Sequence, residues 1–338
     1  MLSYKELGVS LTDLRMVLDR LRRIYEYRSK VIEFTITGEP IVSPYPVLKV
    51  CGRVVRGYTI SESRLRSIEP IPHRKRVLTA DASMKTLFDL GNMKIVVAKV
   101  ALGVWRGVSR IYTSQPLRRL AIVSTRQEAA EWLLRIELEA IMGNMHRIGV
   151  NDYCILDRGL MAVPAFRSST RMLFEKLDVM AYRRGAILVG ISKSSQISLN
   201  TGESLIGYLI RFASKRLPYT PWYYYPVFRS SNMPPWYIGE ISVAKFDGWS
   251  ENAFRVDISK NSLKSRYVET IMGEIAYMQD PGTPGYPYPV KGVHRESKIS
   301  RDELEVLRMS FLEVLREEKL YDKFTSDLGT ASFREKYL

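Results

Sequence analysis

The sequence predicts an α/β protein whose centre is a mixed five-stranded sheet flanked by helices. Two observations favour this class: apolar β-type runs alternate with helical periodicities through the middle of the chain, and 338 residues with 46% hydrophobic content can bury a large core. This composition excludes an intrinsically disordered or low-complexity chain. We expect an N-terminal helix and small β region over 1–75, the central α/β domain over 76–300 and a C-terminal helical extension over 301–338.

The N-terminal region contains a predicted helix from about Leu11 to Val31. Apolar residues recur there at helical spacing, while several arginines lie off that stripe, so the helix is expected to be amphipathic with a basic outer face. From Glu33 to Arg76, short apolar pieces are broken by Gly and Pro, which indicates small β-structure.

The central domain begins with three β-type runs, followed by helix, strand, helix and strand. The predicted segments are Val77 to Ala82, Ile95 to Val104, Val108 to Val123, Gln127 to Ile148, Tyr153 to Leu156, Ser169 to Arg183 and Ala186 to Ile191. This is the element order of an RNase H-like core, which is the fold class that we predict.

The remainder of the chain is rich in aromatic residues and proline after residue 202. Two further strands, a helix, a Gly/Pro/Tyr loop and a last helix are predicted at Ile238 to Phe246, Ala253 to Ile258, Ser265 to Tyr277, Pro281 to Pro289 and Arg301 to Glu318.

The charge balance points to a polyanionic partner. The chain has 51 Lys and Arg against 36 Asp and Glu, a net charge of +15, although a basic surface without a partner is the alternative. Cys51 and Cys154 are too few for a disulfide framework, so we expect reduced core cysteines in a cytoplasmic protein. The longest apolar run, Met93 to Trp105, is interrupted by lysines and is too short for a membrane span.

Three acidic residues occupy positions where an isolated carboxylate is costly. Asp81 ends an apolar strand, Asp157 follows another, and Glu137 falls within the apolar arc of the helix at 127–148. Glu139 lies on the opposite face, where a pair with Arg135 accounts for it. A turn-capping Asp81 and structural ion pairs of Asp81 or Glu137 are the alternatives.

These three positions converge in an RNase H-like core. Clustered carboxylates need a cation, and hard oxygen ligands suit Mg²⁺ or Mn²⁺. Such a site supports phosphodiester hydrolysis. His294 is a further candidate ligand or proton carrier and Tyr286 a candidate site residue, the alternatives being a surface histidine and a packing aromatic.

Four motifs resemble those of the NurA nuclease family of archaea and some bacteria. They are Asp81-Ala82-Ser83, Leu156-Asp157-Arg158-Gly159-Leu160, Ile191-Ser192-Lys193-Ser194-Ser195, and Gly285-Tyr286-Pro287-Tyr288-Pro289 followed by His294. The resemblance covers about residues 75–300.

The resemblance implies a Mn²⁺-dependent nuclease with single-strand endonuclease and 5′-to-3′ exonuclease activity. It also implies a homodimer that works with the hexameric DNA translocase HerA at broken DNA ends. By resemblance, Asp81, Glu137 and Asp157 would carry the metal, and His294 would complete the site. Tyr286 would line it and Lys193 would face the scissile phosphate, unless Lys193 is a solvated loop residue.

Two departures from the family pattern leave a second function open. The family has Asp-Gly-Ser and Asp-Gly-Ser-Leu where this chain has Ala82 after Asp81 and Arg158 after Asp157. A larger residue beside each Asp could alter the backbone approach to metal or DNA. The alternative is therefore a catalytically weakened NurA-like adapter that binds DNA or HerA. Another RNase H-like nuclease, acting on RNA or branched DNA, is a third interpretation.

An aromatic and basic stretch near residues 215–229 predicts where DNA would lie. Aromatic rings can stack on bases of any sequence, and cations can contact phosphates. The candidate DNA-binding residues are Lys215, Arg216, Trp222, Tyr223 and Arg229. Packing of these rings in a dimer interface or a core is the alternative.

Overall fold

The computed structural model describes residues 10–31, 43–280 and 282–328. Its α-helices, in chain order, are α1 (Leu11–Val31), α2 (Arg126–Asn144), α3 (Ser168–Arg183), α4 (Leu205–Ser214), α5 (Val268–Tyr277), α6 (Tyr288–Ser297) and α7 (Arg301–Glu317). A further helical segment follows at 321–328.

The strands form one large sheet, one small sheet and a two-stranded ribbon. In chain order they are β1 (Pro46–Val50), β2 (Arg53–Arg56), β3 (Leu65–Ser67), β4 (Arg76–Asp89), β5 (Lys94–Arg106), β6 (Ser109–Thr113), β7 (Leu117–Val123), β8 (Tyr153–Leu156), β9 (Ile187–Ser192), β10 (Ser198–Leu199), β11 (Trp222–Tyr224), β12 (Gly239–Lys245), β13 (Phe254–Ser259), β14 (Gln279–Asp280) and β15 (Thr283–Pro287).

The large sheet has an RNase H-like centre, as the sequence predicts. Strands β5, β4, β8 and β9 lie side by side in that order, with β6 and β7 both paired to β5. Strand β8 runs parallel to β4 and to β9, whereas β4 and β5 are antiparallel. Beyond β9 the sheet continues through β13, β12, β11 and β3 to ten strands, so it is larger than the five-stranded sheet expected from the central motifs.

The central strands are apolar on both faces because helices cover both sides of the sheet. Val77 and Leu78 are neighbours on β4 and point to opposite faces, as the two-residue period of a strand requires. Val77 joins a core cluster that includes residues of α5 and α6. Leu78 joins another that includes residues of α2 and α3. This two-sided packing is typical of sheets with parallel strands.

The start of α2 follows directly from its sequence. The Thr125 hydroxyl accepts from the backbone N–H of Glu128 at 3.1 Å, and the Glu128 carboxylate accepts from the backbone N–H of Ser124 at 2.9 Å. This pair of bonds satisfies donors that a helix start leaves free. It fixes the beginning of the helix that carries Glu137.

The small β-structure predicted for the N-terminal region is present in the residues that the structure describes. Strands β1 and β2 form the small sheet with β10, and β3 instead pairs with β11 at the end of the large sheet. Residues 33–42 lie outside the described part. Cys154 is buried, but Cys51 is exposed, so the expectation of two core cysteines is wrong for Cys51.

In the C-terminal half, the structure differs from the sequence prediction in two places. The segment expected to be a loop between residues 281 and 289 contains β15 and the start of α6. The sequence analysis does not predict helix α4, because proline and aromatic residues dominate the composition of the segment that follows it.

Among the described residues, no helix is long and apolar enough to cross a bilayer.

Candidate metal and active site

The pairing of β4 with β8 brings two aspartates together. Ala80 on β4 lies opposite Leu156 on β8 in a parallel ladder, so the residues that follow them, Asp81 and Asp157, lie at the same level of the sheet. Asp157 follows the end of β8, as expected, but the expectation that Asp81 ends its strand is wrong, because β4 continues to Asp89. Carboxyl ends of parallel strands are where α/β sheets place functional groups. Residues 76 positions apart in sequence therefore share one site.

Helix α6 adds an imidazole to the two carboxylates. His294 Nδ1 is 3.0 Å from Asp81 Oδ2 and 3.7 Å from Asp157 Oδ2. One ligand atom from each of the three residues lies within 4.8 Å of the others. The imidazole is partly exposed, whereas both carboxylates are largely buried. The group is therefore open to solvent on the histidine side.

Asp157 is held from two further directions. The hydroxyl of Tyr286, on β15, donates to Asp157 Oδ1 at 2.7 Å, and Lys193 Nζ lies 2.7 Å from Asp157 Oδ2. Burial and the charge of Asp157 raise the pKa of Tyr286, so its hydroxyl stays protonated and donates. Lys193 Nζ also lies 4.9 Å from the centre of the Tyr286 ring. The structure thus brings Lys193 and Tyr286 to the Asp81, Asp157 and His294 group.

Asp81 is oriented by a serine that the sequence analysis did not identify. The Ser297 hydroxyl donates to Asp81 Oδ2 at 2.6 Å. Ser297 follows His294 by three residues, so both lie on the same face of α6. That helical spacing was visible in the sequence, but the segment was expected to start as a loop.

Glu137 is near these groups but is engaged by Arg158. Arg158 Nε donates to Glu137 Oε1 at 3.2 Å, and Arg158 Nη2 pairs with Glu137 Oε2. Glu137 is completely buried, as its place on the helical wheel predicts, and burial raises the pKa of its carboxyl to about 7 while Arg158 limits that rise. Glu139 pairs with Arg135 on the exposed face, which confirms the wheel. Of the alternatives for Glu137, the ion pair describes the observed contacts.

A second buried ion pair supports the turn that carries Asp157 and Arg158. Arg255 and Asp257 form a two-bond pair on β13, and Asp257 Oδ2 also accepts from the backbone N–H of Leu160 at 2.9 Å. A Cβ atom at Gly159 would lie 3.0 Å from Asp257 Oδ2. The turn therefore packs directly on this pair.

The sequence carries a signal for this pair in the alternation of charged and apolar residues along β13. Arg255 and Asp257 are two charged residues on one face of a buried strand, where each needs a partner.

The predicted DNA-contact residues divide into exposed cations and buried rings. Lys215, Arg216 and Arg229 are exposed. Trp222 and Tyr223 are buried in β11, so the expectation that these two rings stack on bases is wrong, because neither is accessible. The alternative role, packing in a core, describes them.

A different aromatic pair is exposed at this end of the molecule. The rings of Tyr219 and Trp249 lie 4.7 Å apart, with 70% and 78% of their surfaces exposed. Tyr219 belongs to the predicted aromatic stretch, whereas Trp249 lies 30 residues further on and was not singled out.

The comparisons with known proteins bear on the fold. No protein-family model and no curated protein matches the sequence. The crystal structure of the NurA nuclease from Sulfolobus solfataricus superposes with a TM-score of 0.53 at 13% identity, covering 76% of this chain and 89% of that chain. A second NurA structure gives 0.48 at 9% identity, covering 72% and 90%. NurA bound to dAMP and manganese gives 0.44 at 10% identity, covering 69% and 87%.

The first of these similarities is high enough to assign the fold. The chain has a NurA-like fold with an RNase H-like centre, as the motifs predict.

Proposed function

We propose that this protein is a metal-dependent DNA nuclease that hydrolyses phosphodiester bonds. The observation that carries the proposal is the convergence of Asp81, Asp157 and His294 within 4.8 Å of one another. They meet beside the carboxyl end of β8, at the kind of position where α/β sheets place functional groups. The NurA-like fold and the net charge of +15 support DNA as the substrate.

The donor set fits a divalent cation of intermediate hardness. Two carboxylates and one imidazole suit Mn²⁺, with Mg²⁺ as the second candidate. Asp81, Asp157 and His294 would hold the ion. When bound, it would lower the pKa of a water molecule and stabilise the leaving oxygen.

The neighbouring side chains have separate roles. Ser297 orients Asp81, and Tyr286 orients Asp157 through hydrogen bonds. Lys193 neutralises Asp157 in the free protein and is close enough to meet a phosphate that enters the site. His294 is the partly exposed member of the group and faces the incoming substrate.

The activity would be single-strand endonuclease and 5′-to-3′ exonuclease cleavage at DNA ends. A homodimer in the cytoplasm, acting with a HerA-type hexameric translocase, is the proposed setting. This part rests on the motif resemblance. Co-purification with a HerA-type ATPase tests the partner, and failure to bind in any nucleotide state would remove it.

The catalytic proposal predicts that Asp81→Asn and Asp157→Asn each lower Mn²⁺-dependent cleavage at least about a hundredfold. The reason is that partners of a metal ligand alone typically contribute 10–100-fold. Cleavage of 5′- and 3′-labelled DNA and RNA oligonucleotides would be measured with Mn²⁺, Mg²⁺ or EDTA, with folding checked by circular dichroism.

A matched control lies on the same strand as Asp81. Asp89 ends β4 in a surface pair with Lys94, so Asp89→Asn should keep full activity. Undiminished cleavage in both site variants would refute the assignment of the site. Preferential cleavage of RNA would show that RNA, and not DNA, is the substrate.

The Arg158–Glu137 pair is the observation that favours the second candidate, a catalytically weakened adapter. Because Glu137 is paired with Arg158, its carboxylate is engaged and the acidic group has one fewer carboxylate for a metal ion. Binding of DNA or a HerA-type ATPase without cleavage at any Mn²⁺ concentration would favour the adapter.

A further inference from the structure

We propose that Arg158 is a built-in cation that takes the place of a second metal ion, so that the site binds a single divalent cation. This inference rests on the proposed nuclease function, because it concerns the same group of acidic residues. It concerns the number of ions, which the donor set of Asp81, Asp157 and His294 does not by itself decide.

The first argument is the engagement of Glu137. Two-metal phosphodiesterase sites hold their ions about 4 Å apart and need carboxylates for both. Glu137 is the third carboxylate of this group, yet each of its oxygens already bonds to the Arg158 guanidinium. A guanidinium never loses its charge, and its planar fork matches a carboxylate with two parallel bonds.

The second argument is the placement of Arg158. It directly follows Asp157, so its backbone is fixed by the same turn. That turn packs on the buried Arg255–Asp257 pair, and the Arg158 carbonyl lies so close to Gly190 that a Cβ there would be 2.2 Å away. The Arg158 backbone is therefore fixed by the turn, and the guanidinium of its side chain, which is 31% exposed, is held by the two bonds to Glu137.

The third argument is charge. Asp81, Asp157 and Glu137 carry three negative charges when ionised, and the two cations paired to them, Arg158 and Lys193, leave one uncompensated. A single divalent ion more than compensates it. A second ion would give the site a large positive excess in a mostly buried setting, which is unfavourable.

The test counts bound Mn²⁺ per full-length chain by electron paramagnetic resonance and titration calorimetry, without DNA. We expect one ion for the parent protein. We expect two for Arg158→Ala, with the second ion binding at least tenfold more tightly than any second ion on the parent. The double variant Arg158→Ala with Glu137→Gln should return to one ion.

Two controls accompany the series. Arg135→Ala breaks the exposed pair with Glu139 on the same helix and should leave one ion. Arg158→Lys keeps a positive charge beside Glu137 and should also bind one.

The outcomes separate this inference from the proposed function. Two ions on the parent protein overturn the inference whether or not the variants fold. One ion on both the parent and a folded Arg158→Ala variant overturns it as well. No bound Mn²⁺ on the parent overturns the metal site itself, and with it the proposed function.

Discussion

Asp157 is the most densely contacted carboxylate of the candidate site. Its two oxygens meet a tyrosine hydroxyl, a lysine ammonium and the edge of an imidazole. Such a carboxylate is pre-oriented, since rotation would break one of these contacts. Its position depends on the turn behind it, because Arg158 and Gly159 lie against β9 and β13.

The turn behind Asp157 yields a stability prediction at Gly190. A Cβ at Gly190 would lie 2.2 Å from the backbone oxygen of Arg158. Gly190→Ala should therefore lower the free energy of unfolding by about 1–3 kcal/mol, as overpacking does. Because the displaced turn carries Asp157, Mn²⁺ affinity should fall as well. Urea unfolding and Mn²⁺ titration measure the two effects.

Gly143 provides the matched control for that substitution. It lies in α2, and a Cβ there would meet nothing within 4 Å. Gly143→Ala should leave stability unchanged or raise it by up to about 1 kcal/mol. A Gly190→Ala variant as stable as the parent would refute the close approach.

At the scale of elements, α6 decides the composition of the site. It delivers His294 and Ser297 to Asp81, which precedes them by more than 200 residues. The helix packs on β4 and β5 through apolar residues such as Val290 and Val293. The apolar face of α6 thus fixes where its polar residues lie.

Helix α7 yields a pH-dependent prediction through Glu303. Glu303 pairs with Lys99 on β5 and Arg118 on β7. Burial opposes the charge, but the two cations dominate and lower the pKa of Glu303 below its usual 4.5. A lowered carboxyl pKa stabilises the fold above the unfolded-state pKa, and that stability is lost as pH falls through the folded-state pKa.

Glu303→Gln should therefore lower stability by about 1 kcal/mol at pH 7. The difference from the parent should shrink as the pH falls from about 5 to 3. Urea unfolding at several pH values measures it. Glu305→Gln, which breaks a more exposed pair with Arg308, should have a smaller effect. A Glu303→Gln difference that grows on acidification would contradict the assigned pair.

At the scale of the whole molecule, the charge excess and the site have complementary roles. The chain as a whole carries a net charge of +15, and it contains two carboxylates and an imidazole that would bind a cation. The surface cations are suited to binding the phosphates of DNA in general. The carboxylates are suited to holding the metal ion at the one phosphate that is cleaved. Binding and cleavage should therefore respond to different variables, salt for the first and metal for the second.

The charge excess predicts strong salt dependence of DNA binding. Affinity for a labelled single-stranded oligonucleotide in EDTA should fall by about tenfold or more between 50 and 200 mM salt, which corresponds to neutralising about three phosphates. Fluorescence anisotropy measures it. Lys215→Glu and Arg229→Glu should reduce the slope, and a salt-independent affinity would exclude phosphate contacts as the main source of binding.

Much of the site was predictable because it lies on regular elements. The buried face of α2 could be predicted from its periodicity, and the two aspartates from the apolar runs that precede them, although Asp81 lies within β4 and not at its end. The aromatic stretch was less readable, because a run of rings has the same composition whether it packs inside or stacks outside. Trp222 and Tyr223 pack inside because β11 joins the large sheet between β3 and β12.

The amino-acid sequence was enough to predict the fold class, the order of the central elements and the acidic residues that the core cannot leave unpaired. These follow from local periodicity and from the cost of burying charge. The partner of each acidic residue became visible only in the folded chain: His294 and Ser297 for Asp81, Lys193 and Tyr286 for Asp157, and Arg158 for Glu137. The physical reason is that these contacts join residues far apart in the chain, and packing of helices on a sheet sets them.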